Sequence, residues 1–270
     1  MGDRVSVSIS NGVADVRLMR ADKMNALDAA MFDALVATSE RLAGEKGVRA
    51  VVLSGEGRAF CAGLDMGRFA AMNETGGNGI AGGEKRDLTA RTHGLANFPQ
   101  QAVWGWRQLP MPVIAAIRGV AFGGGFQLAL GADMRFLAPD ARMSIMEIKW
   151  GLVPDMAGTP ILASLVRGDI LRELTYTGRI FSAQEAMSYG LATRVCEDPL
   201  AAAFEVAGEI ASKSPEAIRA AKRMLNNLAV DPGPALLAES AEQMKLMGGA
   251  NQREAVRANM EKRAPRFADI

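Results

Sequence analysis

Residues 123–125 are three consecutive glycines that stand directly before an apolar stretch of helix-forming composition, 126–130. A helix beginning here would present free backbone amides and a favourable dipole, and glycine leaves room for a ligand to approach them. Two such amides aimed at one carbonyl oxygen stabilise its developing negative charge by roughly 3–4 kcal/mol each. Gly124 is therefore a candidate oxyanion-hole residue, although a tight turn or close helix packing would call for the same glycines.

Two carboxylates, Glu147 and Asp155, follow the glycines and could move a proton between two carbons of a ligand. We interpret Glu147 as the principal base and Asp155 as a second acid or base. Each could instead be a surface carboxylate, and Asp155 could cap a helix that begins near Met156. Gln127 lies on the same helix face as Gly124. It can orient a water or a substrate group but cannot accept and return a proton at neutral pH.

The composition argues against several other classes of function. A formal net charge of +1 provides no global attraction to nucleic acid or to a membrane surface. One histidine and two cysteines without metal-ligand or CxxC spacing predict neither a metal site nor a redox pair. Cys61 is expected to be a packing residue. Residues 119–125 lack the GxGxxG fingerprint of nicotinamide-binding folds. Since neither a signal peptide nor an apolar membrane span is evident, we expect a cytoplasmic protein.

The order of strand-like and helix-like segments along the chain predicts the elements that position these residues. It indicates an α/β core, 1–197, followed by a helical region, 198–270. Asn11-Gly12 separates two alternating apolar segments and predicts a hairpin turn. The predicted strands are 5–9, 13–18, 48–53, 113–117, 134–137 and 142–145, and the predicted helices of the C-terminal region are 198–213, 215–228, 234–247 and 249–263.

Two helices of the core are predicted from their local sequence. Asp28 is expected to cap a helix that runs to about Leu42. Residues 84–108 are mostly helix-compatible, and Pro99 is expected to break or kink that helix. The glycine-rich segment 73–83 is expected to be flexible, to flank the site and to shape its specificity.

Three motifs occur in a set order along the chain: AFCAGLDM at 59–66, IRGVAFGGGFQL at 117–128, and MEIK at 146–149 followed by GLVPD at 151–155. In this order they resemble the crotonase, or enoyl-CoA hydratase/isomerase, superfamily, and the resemblance extends over nearly the whole chain. It implies a crotonase-like spiral of ββα repeats that carries an acyl-CoA site in 1–197. It also implies that 198–270 is a helical trimerisation region of a homotrimer or a dimer of trimers.

The resemblance also implies roles for individual residues. The amides of Leu64 and Gly124 would form the oxyanion hole, and Glu147, Asp155 and Gln127 would occupy the catalytic positions. No metal or redox cofactor is implied, because CoA arrives as part of the thioester substrate. The residues that would bind CoA are Lys23, Ala26, Ala62, Asp65, Met66 and Lys262.

The expected activity is isomerisation of an unsaturated acyl-CoA through an enolate. Hydratases of the superfamily carry a glutamate where this chain has Gln127, so the hydratase pair of glutamates is incomplete. Dienoyl-CoA isomerases carry a glutamate and an aspartate at the spacing of Glu147 and Asp155, together with a third acid at the Gln127 position. Hydration of a trans-2-enoyl-CoA is the main alternative. Thioester hydrolysis or acyl transfer, and a CoA-binding protein without catalysis, are alternatives of other classes.

Overall fold

A computed structural model describes residues 4–65, 67, 87–226, 233–263 and 265. Met66 and the glycine-rich segment 73–83 lie outside these described residues. The strands, in chain order, are β1 Val5–Ser10, β2 Val13–Leu18, β3 Ala50–Gly55, β4 Val113–Ile117, β5 Val120–Phe122, β6 Met134–Leu137, β7 Arg142–Ser144, β8 Phe181–Ser182 and β9 Arg194–Val195. The α-helices are α1 Ala29–Gly44, α2 Phe98–Gln108, α3 Gly124–Leu130, α4 Gly158–Ala163, α5 Gly168–Thr177, α6 Ala183–Ser188, α7 Pro199–Ala211, α8 Pro215–Asn226, α9 Gly233–Leu246 and α10 Ala250–Met260.

A six-stranded sheet with the order β1-β2-β3-β4-β6-β9 forms the centre of the core. Asn11 and Gly12 join the antiparallel strands β1 and β2 and have φ values of 51° and 79°. A two-residue type I′ turn requires positive φ at both positions, so the predicted hairpin is confirmed. The remaining strand pairs of this sheet are parallel. Because parallel strands end on the same edge, the segments that leave β3 and β4 meet there.

A second, three-stranded sheet with the order β5-β7-β8 joins two of the motifs. Phe122, at the end of β5, pairs with Ser144, at the end of β7. The amide of Gly123 continues this pairing by donating to the Ser144 carbonyl at 3.0 Å. The glycines that follow β5 are therefore held beside the chain that leads from β7 to Glu147.

The two faces of the large sheet are both buried under helices. On one face, apolar residues of α1, α2 and α3 form the main core, with Trp106 among its largest fully buried side chains. On the other face, Ala203 and Ala207 of α7 pack against Val52, Ile114 and other strand residues. Alanine at these α7 positions lets the helix approach the sheet closely. The first helix of the C-terminal region is thus part of the core packing.

Of the two core helices predicted from local sequence, α1 is confirmed and α2 is shorter than predicted. Asp28 accepts a hydrogen bond from the Met31 amide at 2.8 Å and caps α1 as predicted. The predicted helix over 84–108 is wrong over its described first half, because α2 begins only at Phe98 behind an Asn97 cap. Pro99 lies in the first turn of α2, where its missing N–H costs nothing. It therefore begins the helix and does not kink it.

The C-terminal region is helical where the structure describes it, as predicted. Helices α7 to α10 correspond to the four predicted segments to within about two residues at most of their ends. Helix α10 packs against a 3₁₀ turn at Glu147–Trp150, so this region also contacts the segment that bears Glu147. None of the helices in the described ranges has the length and apolar character needed to cross a bilayer.

Candidate active site

The segment that leaves β3 runs between two neighbouring backbones. The Cys61 amide donates to the Val120 carbonyl at 3.0 Å, and the Cys61 carbonyl accepts from the Phe122 amide at 3.1 Å. On the other side, the Gly63 carbonyl accepts from the Leu27 amide at 2.8 Å. Gly63 has φ of +88°, and a Cβ there would lie 2.5 Å from the Phe122 carbonyl oxygen. Only glycine fits this position.

The amides of Leu64 and Gly124 are available to a ligand. Leu27 bonds to the Gly63 carbonyl and the Asp65 amide, so the amide of the intervening Leu64 points the other way. Gly124 is the first residue of α3, where a backbone amide has no acceptor within its own helix. Within the described part of the chain, neither amide donates a hydrogen bond. A Cβ built on Gly63 would lie 3.7 Å from the Gly124 nitrogen, so the two amides are close neighbours.

A cavity of about 860 Å³ lies in front of these amides, and both Leu64 and Gly124 line it. This volume falls within the range typical of small-molecule sites. The cavity wall is largely apolar and includes side chains from several elements, Leu27, Phe32, Met146, Leu152, Met156 and Ile180. An acyl chain is therefore a suitable ligand for this part of the protein.

The carboxylate of Glu147 is buried in the cavity wall next to the glycine turn. A Cβ built on Gly123 would lie 3.4 Å from Oε1 and 4.0 Å from Oε2 of Glu147. Oε1 accepts a hydrogen bond of 2.6 Å from Nε2 of Gln127. Oε2 accepts none among the described residues. One oxygen is thus held by the protein, and the other is left for a ligand.

Gln127 is itself fixed by backbone. Its Oε1 accepts from the amides of Met156, at 2.9 Å, and Gly158, at 3.0 Å. These two donors define which end of the side-chain amide is oxygen, so Nε2 must face Glu147. Gln127 is buried and is not among the residues that line the cavity. It lies behind Glu147 and holds it in place through this hydrogen bond, and its predicted contact with a water or a substrate stays a prediction.

Burial raises the pKa of the Glu147 carboxyl to about 7, and the hydrogen bond from Gln127 opposes part of that rise. A carboxyl with a pKa near neutrality can both remove and return a proton under ordinary conditions. In the folded protein this carboxyl has the properties of an acid/base catalyst.

Asp155 is buried and lines the same cavity as Glu147. The helix that follows it, α4, begins at Gly158 with Ala157 in the N-cap position and has no side-chain cap. Asp155 is therefore not the N-cap residue of α4, and its role as an acid or base stays a prediction. Two buried carboxylates, Glu147 and Asp155, border the inner cavity.

The predicted CoA-binding residues are brought together with one exception among those described. Lys23, Ala26, Ala62 and Asp65 all line the cavity, whereas Lys262 is exposed beyond the end of α10 and does not. The Asp65 carboxylate accepts a hydrogen bond of 2.6 Å from Arg20. Burial alone would raise the pKa of Asp65, but the hydrogen bonds from Arg20 and the Gly67 amide outweigh it and hold this pKa below its ordinary value.

Comparison with known proteins identifies the family of the chain. The family pattern described as enoyl-CoA hydratase/isomerase matches residues 8–270. This chain belongs to the enoyl-CoA hydratase/isomerase family. Over 269 residues, covering 97% of this chain and 98% of the relative, it is 33% identical to a Mycobacterium bovis protein named "Probable enoyl-CoA hydratase echA6". Over 222 residues, covering 80% of this chain and 66% of the relative, it is 33% identical to the mouse mitochondrial Delta(3,5)-Delta(2,4)-dienoyl-CoA isomerase.

The fold is also that of this family. A crystal structure of enoyl-CoA hydratase from Bacillus anthracis matches with a TM-score of 0.73 and 32% identity over 98% of both chains. The predicted crotonase fold and the resemblance to this superfamily are therefore confirmed. The function is of the enoyl-CoA hydratase/isomerase type, which is consistent with an acyl-CoA substrate.

Several polar residues that line this enoyl-CoA hydratase/isomerase cavity were not predicted as site residues, among them Lys149, Gln243 and Asn259. Lys149 lies in the third motif, two residues after Glu147, which was a signal that could have found it. Gln243 and Asn259 come from the C-terminal helices α9 and α10, and their distance from the motifs in sequence left no signal, because only the packing of those helices brings them to the cavity. The exposed Lys149 adds a second cation to Lys23 at the cavity.

Cys61, which lies in the first motif, is a packing residue as predicted. Its side chain is fully buried, and burial raises the pKa of the thiol to about 12, so it is not a thiolate nucleophile. Across the described ranges, histidine, cysteine and carboxylate side chains form no group suited to hold a metal ion.

Proposed function

We propose that this protein is an acyl-CoA double-bond isomerase in fatty-acid or related acyl-CoA degradation, with Glu147 as principal base and Asp155 as second acid or base. The observation that carries the proposal is the bonding of Gln127. Its oxygen is occupied by two backbone amides and its nitrogen faces Glu147, so it is not placed to hold a water in the cavity. The two buried carboxylates that do reach the cavity are suited to moving protons.

In the proposed reaction, the thioester carbonyl accepts hydrogen bonds from the amides of Leu64 and Gly124. Oε2 of Glu147 removes a proton from the carbon next to the carbonyl. The electrons of that C–H bond form a double bond to the carbonyl carbon, and the carbonyl π electrons move to the thioester oxygen, where the two amides stabilise the negative charge. When Glu147 or Asp155 returns a proton at the far allylic carbon, the carbonyl re-forms and the double bond becomes conjugated with it, so the substrate and the product are isomers.

Hydration of a trans-2-enoyl-CoA is the second candidate, and two observations favour it. The relative from Mycobacterium bovis carries a hydratase name. Oε2 of Glu147 is also free to activate a water in the cavity. In that reaction Glu147 would activate the water while Gln127 holds Glu147 in place, and the product would be heavier than the substrate by one water.

For CoA, we propose that the nucleotide end lies along Lys23, Ala26, Ala62 and the backbone at Asp65. Met66 is a further CoA-binding residue by the resemblance alone. Lys262 would contact a CoA phosphate of the same or a neighbouring subunit, and we propose a homotrimer or a dimer of trimers from the resemblance. The enzyme would need no metal or cofactor other than the CoA of its substrate. We place it in the cytoplasm.

The test is to incubate the purified protein with a 3-enoyl-CoA, a 3,5-dienoyl-CoA and a trans-2-enoyl-CoA in separate reactions and to measure product masses. An isomerase yields a product of unchanged mass with a shifted double bond. We expect Glu147→Gln to lower kcat by about 100-fold or more, the range for loss of an acid/base group, and Asp155→Asn to lower it less. Glu197→Gln and Asp33→Asn, which change exposed carboxylates remote from the cavity, are the matched controls.

Two results would contradict the proposal. If water adds efficiently to the trans-2-enoyl-CoA and this activity survives Asp155→Asn, hydration by Glu147 alone explains the site. If no thioester of the panel turns over although CoA esters bind, the protein is a CoA-binding protein without this catalysis. Release of free CoA would indicate thioester hydrolysis.

A further inference from the structure

Gln243 of α9 is a buried polar side chain that lines the apolar part of the cavity. It is 2% exposed, and its Oε1 accepts a hydrogen bond of 3.3 Å from the Val153 amide. Among the hydrogen bonds of the described residues none is donated by Nε2, and this atom is not one of the fully enclosed polar atoms left without a partner. Because Gln243 lines the cavity, its Nε2 can donate to an acceptor on a bound ligand.

The position of Gln243 indicates which part of a ligand it meets. Val153 lies two residues before Asp155, and α9 packs against α4, the helix that follows Asp155. Gln243 is therefore beside the proposed proton-transfer groups, away from the 3₁₀ turn that carries Lys23. A ligand atom that contacts Nε2 belongs to the acyl group.

We propose that Gln243 is a specificity-determining residue that donates from Nε2 to a neutral oxygen on the acyl chain, a ketone or a hydroxyl. This proposal rests on the proposed function in taking the ligand to be an acyl-CoA. A carboxylate on the chain is disfavoured, because Glu147 and Asp155 border the same space and the cations among the described lining residues, Lys23 and Lys149, are exposed. The rest of the inner wall, including Leu152 and Met156, is apolar and suits the hydrocarbon of the chain.

Binding of unreactive ligands tests this without relying on turnover. We would measure Kd by calorimetry for hexanoyl-CoA, 4-oxohexanoyl-CoA and 5-oxohexanoyl-CoA, which lack the double bond that the reaction needs. We expect at least one oxo ligand to bind about tenfold more tightly than hexanoyl-CoA, as a site built to donate a hydrogen bond discriminates against a ligand without an acceptor. In Gln243→Met this ratio should fall to near one, whereas the exposed Gln184→Met should leave it unchanged.

A second variant separates the donor from the contact with Val153. Gln243→Glu keeps an oxygen for the Val153 amide but replaces the donating nitrogen with an acceptor, so the preference for a ketone should be lost here too. The proposal is overturned if neither oxo ligand is preferred, or if the preference survives in Gln243→Met. It is also overturned if both variants weaken all three ligands equally, since Nε2 would then bind the CoA portion common to them. None of these outcomes depends on whether the enzyme isomerises or hydrates.

Discussion

Replacing Gln127 by methionine tests how much the hydrogen bond from Gln127 contributes to the position and the pKa of the Glu147 carboxyl. Methionine has a similar length and fills the same buried space, but it neither donates to Glu147 nor accepts from the amides of Met156 and Gly158. Two buried backbone donors lose their acceptor, at about 1–3 kcal/mol each. We therefore expect the free energy of unfolding of Gln127→Met to be lower by roughly 2–6 kcal/mol, which leaves a domain in the upper part of the ordinary range of about 5–15 kcal/mol folded.

The same variant should change the pH dependence of activity. In the native protein burial raises the pKa of Glu147 to about 7, and the Gln127 hydrogen bond opposes that rise by favouring the ionised form. A hydrogen bond to a charged group is worth about 1.5–3 kcal/mol, so its loss should move the pKa upward by roughly one to two pH units. At neutral pH less of Glu147 would be ionised and able to remove a proton. We expect kcat/KM at pH 7 to fall roughly 5- to 50-fold and to recover largely near pH 9.

The assay is the profile of kcat/KM against pH for the substrate that the native enzyme turns over best, measured for the native protein, Gln127→Met and the exposed control Gln184→Met. Native activity should fall as the pH drops below about 7, since the base becomes protonated. The reasoning is refuted if Gln127→Met lowers kcat/KM by the same factor at every pH. That result would mean that Gln127 supports the fold but does not act on Glu147.

Two further predictions concern backbone geometry and buried charge. Gly63→Ala places a Cβ on a residue with φ of +88° and within 2.5 Å of the Phe122 carbonyl oxygen. We expect the Leu64 amide to move as a result and kcat to fall about 100-fold. Gly208→Ala, in the middle of α7 with open space around it, is the control and should stabilise the protein by about 0.5–1 kcal/mol in thermal unfolding. Asp133→Ala removes the carboxylate 2.8 Å from the buried Lys222 ammonium and should lower the free energy of unfolding by about 3–5 kcal/mol in urea. Adding Lys222→Met to Asp133→Ala should recover part of that loss, and a double variant no more stable than Asp133→Ala would contradict the assignment of the cost to an uncompensated charge.

Much of the local structure could be predicted because short segments specify it. The Asn11-Gly12 turn and the Asp28 cap depend on residues within a few positions of one another, and both predictions are confirmed. The helix over 84–108 was predicted from composition alone, which cannot distinguish turns from helix in a polar segment. The observed start at Phe98 depends on Asn97 and Gln100, whose side chains bond to each other's backbone amides in a capping box.

The site could be predicted only as far as its parts lie in the motifs. Glu147, Asp155 and Gly124 were found because each lies in or beside a recognisable pattern, and the structure brings all three to one cavity. Gln243 and Asn259 lie in alanine-rich helices whose sequence is ordinary. Their side chains reach the cavity through the way α9 and α10 pack on the core, a long-range property that local patterns do not encode.

The bonding of Gln127 also bears on which reaction this scaffold supports. From sequence, a polar residue at this helix position appeared able to face the ligand, because only its spacing from Gly124 was known. In the folded protein the Met156–Gly158 turn comes within hydrogen-bond distance and takes its oxygen, which turns its nitrogen toward Glu147. A single side-chain amide thereby links the turn after Asp155 to Glu147. This link joins the two segments that carry the carboxylates, so a change that loosens it should impair proton transfer by Glu147 and Asp155 more than thioester binding, which needs the amides of Leu64 and Gly124.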